Sequence, residues 1–273
     1  MTDHYAVMGN PVAHSKSPRI HSLFATQTGQ DIDYSAICVE PGGLPRAVDE
    51  FQSQGGRGLN ITVPFKEEAW ALATTHSSRA ACAEAVNTLV LDSSGDRFGD
   101  NTDGAGLVRD LSGNHGCGLG GKRLLLVGAG GAARGVIEPL LNEEPALLVI
   151  ANRTSGKAVD LARRFCRLGH IEGCGLDDLE GQSFEVIINA TAAGLTGHLP
   201  ALPDSVVSVN TWCYDMMYGD EPTVFVRWAQ QRNAARAMDG LGMLVEQAAE
   251  SFFLWRHVRP YTAPVIAVLR QTQ

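Results

Sequence analysis

Lys122-Arg123-Leu124-Leu125-Leu126-Val127-Gly128-Ala129-Gly130-Gly131-Ala132-Ala133-Arg134-Gly135 is the stretch on which the fold of this chain turns. It reads as a buried strand, a glycine turn and the start of a helix. The apolar run from Leu124 to Val127 is short, with charge before it and glycine after it, which fits a strand of a parallel sheet. The glycines then have separate tasks. Gly128 permits the tight turn, Gly130 lets the backbone approach a pyrophosphate, and Ala133 in the third position allows close packing of helix on strand. Phosphate would rest on free N–H groups at the helix N-terminus.

Glycine-rich turns between a strand and a helix also arise for structural reasons alone, so the next strand decides. A second buried run, Ala146 to Ala151, ends at Asn152-Arg153-Thr154, the position that meets the adenosine ribose in such units. A carboxylate there would accept hydrogen bonds from the ribose hydroxyls and repel a 2′-phosphate. Arg153 instead offers that phosphate charge-assisted hydrogen bonds and can stack on adenine, so the residues select NADP over NAD. No acidic residue closes this strand to hold a ribose diol, which argues against a methyltransferase-type loop.

At 273 residues the chain exceeds what one hydrophobic core usually serves, so two domains are expected. A net charge of -8, with no Lys/Arg-rich run and no interleaving of basic and aromatic residues, argues against nucleic acid as a partner. The longest apolar runs are strand-sized, and Thr2, Asp3 and His4 stand where a signal peptide would need an apolar core. A soluble, cytoplasmic protein without a membrane partner is expected. The six cysteines are scattered, with no C-x-x-C pair and no histidine at metal spacing, so reduced thiols and no metal are expected.

From the N-terminus, Tyr5 to Gly9 reads as a strand running into the polar loop His14-Ser15-Lys16-Ser17-Pro18. Pro18 suits the first turn of a helix striped by Ile20, Leu23 and Phe24 and ending near Gly29. A strand over Asp33 to Val39 follows, then a helix through Leu44, Val48 and Phe51 that stops at Gly55-Gly56. A third strand spans Leu59 to Val63, and Pro64 reads as the first residue of the next helix. Ala85 to Val90 and Asp96 to Gly99 form a hairpin around Ser93-Ser94-Gly95. A helix from about Ala105 to Leu111 leads into the glycine-rich linker Gly113 to Gly121. Beyond the nucleotide unit, Glu185 to Thr191 and Val206 to Val209 read as strands separated by the loop Gly194 to Pro203. From Gly240 an amphipathic helical pattern through Leu244, Ala248, Phe252 and Trp255 leaves too little chain for a new domain and packs back onto the first. The alternation gives an α/β chain with an N-terminal α/β substrate domain and a Rossmann-type, doubly wound NADP-binding domain. The boundaries are 1–104 plus 240–273 for the first and 105–239 for the second.

If the middle of the chain carries NADP, the first domain carries the substrate. Ser15, Ser17, Asn60, Thr62, Lys66, Asn87 and Asp103 are small polar or charged residues, most of them at or just beyond strand ends, where open α/β sheets bind ligands. Each alone also suits a cap or a turn; their agreement in position carries the reading. Lys66 opens a helix, where the positive end of the dipole opposes a second positive charge, while a carboxylate such as Asp103 favours it. Together they can manage the one proton that a ketone needs when it receives hydride, without a metal.

At these residues the chain resembles the shikimate dehydrogenase family. The resemblance rests on His14 to Pro18, Asn60-Ile61-Thr62-Val63-Pro64-Phe65-Lys66, Ala85-Val86-Asn87-Thr88, Gly99-Asp100-Asn101-Thr102-Asp103-Gly104, Gly128 to Arg134, Asn152-Arg153-Thr154 and Gly240 to Ala248, in that order. It implies NADPH-dependent reduction of 3-dehydroshikimate to shikimate, a step of aromatic amino-acid biosynthesis, by a monomer or homodimer. Lys66 and Asp103 match the catalytic pair. Ser15 and Ser17 would bind the substrate's carboxylate with Tyr218 nearby, and Thr62, Asn87, Asp103 and Gln247 would hold the ring hydroxyls. Gly128, Ala129, Gly130, Gly131, Ala132, Asn152, Arg153, Thr154, Thr191, Met216 and Gly240 fall where the family touches NADP. Gly219-Asp220 stands where the family commonly has Asn-Pro, and Ser78 where an acidic residue is common.

A dual quinate/shikimate dehydrogenase is the nearest rival, but such relatives often favour NAD and carry Thr at the position of Ser17. A dinucleotide-sensing regulator is a remoter one, because it would not require the proton-managing pair and the polar set together.

Overall fold

The computed structural model describes residues 2–191, 193 and 197–271, so Gly194 of the expected Gly194 to Pro203 loop lies outside the described residues. The chain divides into two compact units, one holding the residues through Gly106 and those from Val245, the other Leu107–Leu244. The crossings fall inside helices, a few residues beyond the sequence boundaries at 104 and 240, because a helix that runs on carries the chain past the motif that marks its start.

The first unit is built on a mixed sheet of six strands in the order β2-β1-β3-β5-β6-β4. Its elements are β1 (Asp3–Gly9), α1 (Ser17–Thr28), β2 (Ile32–Cys38), α2 (Leu44–Ser53), β3 (Gly56–Ile61), α3 (Lys66–Leu72), β4 (Thr75–His76), α4 (Ser78–Ala83), β5 (Thr88–Leu91), β6 (Arg97–Asp100) and α5 (Asp103–Arg109). Strands β1, β2 and β3 are parallel, and the hairpin β5–β6 joins β3 antiparallel.

The structure differs from the sequence reading at several points. Strand β3 starts at Gly56 rather than Leu59, because its glycines make room for aromatic rings. A Cβ on Gly56 would fall 2.2 Å from the Phe51 ring, and one on Gly58 2.3 Å from the Trp255 indole nitrogen. Pro64 does not open a helix. It lies in a turn closed by the Phe65 N–H donating to the Thr62 carbonyl at 3.0 Å, and α3 begins at Lys66. Helix α5 starts at Asp103, earlier than expected, and continues as a π-type turn over Asp110–Asn114.

The second unit holds β7 (Arg123–Val127), α6 (Gly131–Leu141), β8 (Leu147–Asn152), α7 (Ser155–Phe165), β9 (Ile171–Gly175), β10 (Val186–Asn189), β11 (Trp212–Asp215), α8 (Val224–Gln231) and β12 (Arg236–Met238). All pairings are parallel in the order β9-β8-β7-β10-β11-β12, the doubly wound arrangement whose strand order reverses between β7 and β10. The expected strand Val206 to Val209 is not one. Asp204–Val206 is a 3₁₀ turn, Val209 is exposed, and Ser208 and Thr211 close a turn that delivers the chain to β11.

The chain re-enters the first unit within α9 (Leu241–Arg256) and ends the described fold with α10 (Thr262–Gln271). Strand register puts Tyr5, Tyr34, Val7, Gly58 and Asn60 on one face of the sheet, and Trp255 of α9 closes that face, donating its indole N–H to the Leu89 carbonyl at 3.0 Å. The opposite face, through Ala6, Met8, Leu59 and Ile61, packs on Leu44 and Val48 of α2 and Phe65 and Ala69 beside it.

His21 of α1 is fully buried in the aromatic layer, stacked on Tyr34 with ring centroids 4.2 Å apart and flanked by Phe24, Phe252 and Trp255. Burial pushes its imidazole down to about 3 against the opposing influence of the Asn60 amide, and neither ring nitrogen reaches a hydrogen-bond partner of good geometry among the described residues. The unfolded chain therefore takes up a proton near pH 6.5 that the folded chain refuses, and stability falls with pH through that window. The expected loss from pH 7 to pH 5 is about 2 kcal/mol, at ~1.4 kcal/mol per unit. Urea unfolding of His21→Phe at both pH values should show a correspondingly smaller difference; an unchanged difference would remove His21 as the cause.

Candidate active site

The site in the first unit is assembled by backbone contacts before any side chain meets. The Val86 N–H donates to the Lys66 carbonyl at 2.8 Å, tying the start of α3 to the segment that carries Asn87. The Asn87 N–H donates to the Asp100 carbonyl at 3.0 Å, which brings in the end of β6. Asn101, wholly buried, donates its amide to the Ala85 carbonyl at 3.1 Å and accepts the Asp103 N–H at 3.2 Å, so the turn into α5 is fixed on the same segment.

This framework brings Lys66 Nζ to 2.5 Å from Asp103 Oδ2. The other carboxylate oxygen accepts from Asn87 Nδ2 at 2.7 Å. Asn87 Oδ1 in turn accepts the Thr102 N–H at 2.9 Å, which turns the NH₂ toward Asp103. Gln247 of α9 brings its Oε1 to 3.3 Å from both Asn87 Nδ2 and Thr102 Oγ1. Four of the expected residues, Lys66, Asp103, Asn87 and Gln247, thus share one network, with the Lys66 and Asp103 side chains 21% and 11% exposed. A cationic donor oriented by a partly reachable carboxylate suits proton delivery to a bound oxygen.

The other expected residues of this unit divide. Thr62 lies in the turn before Lys66, its methyl so close to Gly9 that a Cβ on that glycine would fall 2.3 Å away. Ser15 and Ser17 sit where the polar loop enters α1, the Ser17 N–H donating to Ser15 Oγ at 3.2 Å. Asn60 is buried and engaged inside the protein. It accepts from Tyr34 at 2.7 Å and donates toward Ser251 at 3.0 Å, Thr88 at 3.1 Å and the Asn87 carbonyl at 3.2 Å. These bonds tie β2, β3, β5 and α9 together at that position.

The sequence reading missed Arg79, Thr102, Tyr34 and Ser251. Arg79 Nε and Nη2 donate to the two Asp100 oxygens at 2.7 and 2.6 Å, and Ser77 Oγ donates to the same carboxylate at 2.5 Å. Burial works to raise the Asp100 carboxyl, but these donors hold it below the ordinary carboxylate range. Thr102 had a usable signal, lying between two residues of one polar run. Ser78 begins α4, whose cap is Ser77, accepting the Ala80 N–H at 3.1 Å.

In the second unit the expected cofactor residues cluster at the carboxyl ends of β7, β8, β10 and β11. Gly128 has φ +112°, and a Cβ there would press on Ala190 and Thr191 at 3.2–3.3 Å, so glycine is required by the turn. At Gly130, the N-cap of α6, a Cβ would meet no protein atom within 4 Å, so no internal packing requires glycine. The N-cap glycine has no side chain to cap α6, and the first N–H groups of the helix begin beside that open space. Asn152 ends β8, its amide donating to the Thr154 carbonyl at 3.0 Å, and Arg153 beside it is exposed. Thr191 is held by Asn189 Oδ1 at 2.7 Å. Met216 and Gly240 approach so closely that a Cβ on Gly240 would fall 2.3 Å from the Met216 carbonyl. Tyr218 belongs to this unit, and burial pushes its phenol above the ordinary range.

Comparison with known proteins places these features in a family. Residues 7–89 match the shikimate dehydrogenase substrate binding domain, 111–196 shikimate / quinate 5-dehydrogenase, and 240–270 the shikimate 5'-dehydrogenase C-terminal domain. The chain is 58% identical over 271 residues to shikimate dehydrogenase (NADP(+)) of Nitrosococcus oceani, covering 99% of this chain and 96% of that protein. The chain belongs to the shikimate dehydrogenase family. Among solved structures, shikimate 5-dehydrogenase of Thermus thermophilus in complex with NADP(H) and shikimate superposes with a TM-score of 0.88 at 30% identity, covering 100% of both chains. An Ael1 enzyme from Pseudomonas putida superposes with a TM-score of 0.92 at 45% identity, covering 98% of each. Family membership gives the Lys66–Asp103 pair and the open cradle at Gly130 a common context.

Proposed function

We propose that this protein catalyses the NADP(H)-dependent, reversible reduction of 3-dehydroshikimate to shikimate, a step of aromatic amino-acid biosynthesis. The observation that carries the reading is the Lys66–Asp103 pair at 2.5 Å, with Asn87 and Gln247 on the same carboxylate network. The relatives' printed activity, shikimate dehydrogenase (NADP(+)), supports it. The first unit holds the substrate and the second the cofactor. Ser15 and Ser17 bind the carboxylate with Tyr218 contributing, Thr62, Asn87, Asp103 and Gln247 take the ring hydroxyls, and Lys66 Nζ gives its proton to the oxygen that was the ketone's. The bound nicotinamide supplies the hydride.

The second unit fits a dinucleotide by its own geometry. The space at Gly130 accepts a pyrophosphate that any side chain there would obstruct, and the first N–H groups of α6 begin beside it. Arg153, exposed at the end of β8, meets the 2′-phosphate. The protein acts in the cytoplasm as a monomer or homodimer, and no described helix is long and apolar enough to cross a membrane.

The test is absorbance at the nicotinamide band with shikimate or quinate against NADP or NAD. Quinate's carboxylate hangs from a tetrahedral carbon that also bears a hydroxyl, and a pocket fitted to shikimate's planar carbon must clash with that group or bury it unpaired. Shikimate should be preferred by about tenfold to a few hundredfold in kcat/KM. Efficiencies for the two acids within about threefold would favour the dual-specificity enzyme. In the same assay Arg153→Ala should weaken NADP by about ten- to a hundredfold and leave NAD nearly unchanged. Equal losses for both cofactors would remove Arg153 from the phosphate site.

A further inference from the structure

Strands β10 and β11 end on residues that stand opposite each other in the sheet, Asn189 and Asp215, and both are buried. Each turns the chain out of its strand in the same way. Asn189 Oδ1 accepts the N–H of Thr191, two residues on, at 3.2 Å and its hydroxyl at 2.7 Å. Asp215 Oδ1 accepts the N–H of Met217, also two residues on, at 3.1 Å. The last backbone bond between the two strands runs from the Met216 N–H to the Asn189 carbonyl at 3.0 Å, and beyond it the Met217 N–H relies on the Asp215 side chain. The two turns are also joined to each other, because Asn189 Nδ2 donates to Asp215 Oδ1 at 3.0 Å. The second carboxylate oxygen accepts the hydroxyl of Thr223, the cap of α8, at 2.6 Å.

These bonds dictate the residue types of the pair. Asn189 has to accept from Thr191 and donate to Asp215, which an amide does and a carboxylate does not. Asp215 meets only donors: two N–H groups on one oxygen and, on the other, the proton of Thr223, whose own oxygen accepts the Val226 N–H at 3.2 Å. Burial pushes the Asp215 carboxyl above the ordinary carboxylate range, and these three donors work against that rise.

The joined turns carry residues expected to meet NADP. Thr191 closes the first turn and stands over Gly128, where a Cβ would come within 3.2 Å of its methyl. Met216 lies inside the second turn, and the carbonyl of Met217, which closes it, accepts the Gly240 N–H at 2.9 Å. Thr191, Met216 and Gly240 come from three separate parts of the chain, yet the turns that hold them meet at one carboxylate oxygen. We propose that Asp215, paired with Asn189, is a positioning residue of the cofactor site, setting Thr191, Met216 and Gly240 against the Gly128 turn. This rests on the functional reading above, in which the second unit holds NADP.

The test is calorimetric titration of NADP into variants at the pair. Asp215→Ala should bind NADP about tenfold more weakly, and Asp215→Asn, which keeps an oxygen where Oδ1 stands, should recover affinity to within about threefold of the unmodified protein. At saturating NADP the KM for shikimate, held by the first unit, should stay within about twofold. Thr223→Val removes only the bond to the second oxygen and the cap of α8, so it should lower the urea midpoint and leave NADP affinity within about twofold. Unchanged NADP affinity in Asp215→Ala, no recovery in Asp215→Asn, an equal loss in Thr223→Val, or a shikimate KM that rises along with the NADP dissociation constant would each overturn the proposal. If Asp215→Ala does not fold, Asn189→Ala must show the same selective loss, and failure of both to fold would make the carboxylate purely structural and overturn the proposal too. Failure of the unmodified protein to bind NADP or to oxidise shikimate with it would instead overturn the functional reading.

Discussion

Lys66→Ala is expected to lower turnover by about 10²–10⁴, the usual range for a positioned acid or base, while NADP binding survives. The expectation follows from where the side chain is anchored. Its ammonium bonds Asp103 Oδ2 in the first unit, and the nucleotide-facing features of the second unit do not depend on it. The loss should fall mainly on kcat, because the proton is needed as hydride arrives. Calorimetry checks the division: loss of NADP binding together with activity would give Lys66 a folding or cofactor role. Lys66→Arg should not restore activity, since a guanidinium keeps its proton at any working pH.

Arg79→Ala should destabilise the protein by about 3–5 kcal/mol, the range for removing one partner of a buried ion pair. Asp100 is only 2% exposed and would keep Ser77 and the Asn101 N–H, which cannot supply the charge that two guanidinium bonds supply now. Urea unfolding at pH 7 measures the loss, and a value below about 1 kcal/mol would mean the pair behaves like a surface contact. Because Asp100 leads directly into Asn101 and Asp103, the same variant should lower activity more than its stability alone predicts.

The glycine turn after β7 and the Arg153 that follows β8 were legible in the sequence because local chemistry dictates them. A strand, a positive-φ glycine and an open helix start occur within a few residues and need no distant partner. Lys66, Asn87 and Asp103 were legible as a group because strand ends collect ligand residues, although only the fold shows that Asn87 fixes one carboxylate oxygen and Lys66 the other. Tyr34 and Ser251 carried no local signal: a tyrosine in a strand and a serine in a helix look ordinary until α9, far along the chain, is laid against β3 and β5. The reading of Val206 to Val209 as a strand failed for a related reason. An apolar alternation does not reveal that Ser208 and Thr211 close a turn that moves the pairing on to Trp212–Asp215.

Trp255 presses on Gly58 and bonds Leu89 from the part of α9 that follows Leu244, where the second unit's long stretch ends. During synthesis a domain generally folds once its whole stretch has emerged, the amino-terminal one first. Here that order is inverted. Residues 107–244 can close their sheet while the earlier strands still wait for their aromatic cover, so β1 to β6 are exposed on the ribosome for longer than the part made after them. A chain halted just past Leu244 would thus release a closed second sheet attached to an open, adhesive first one.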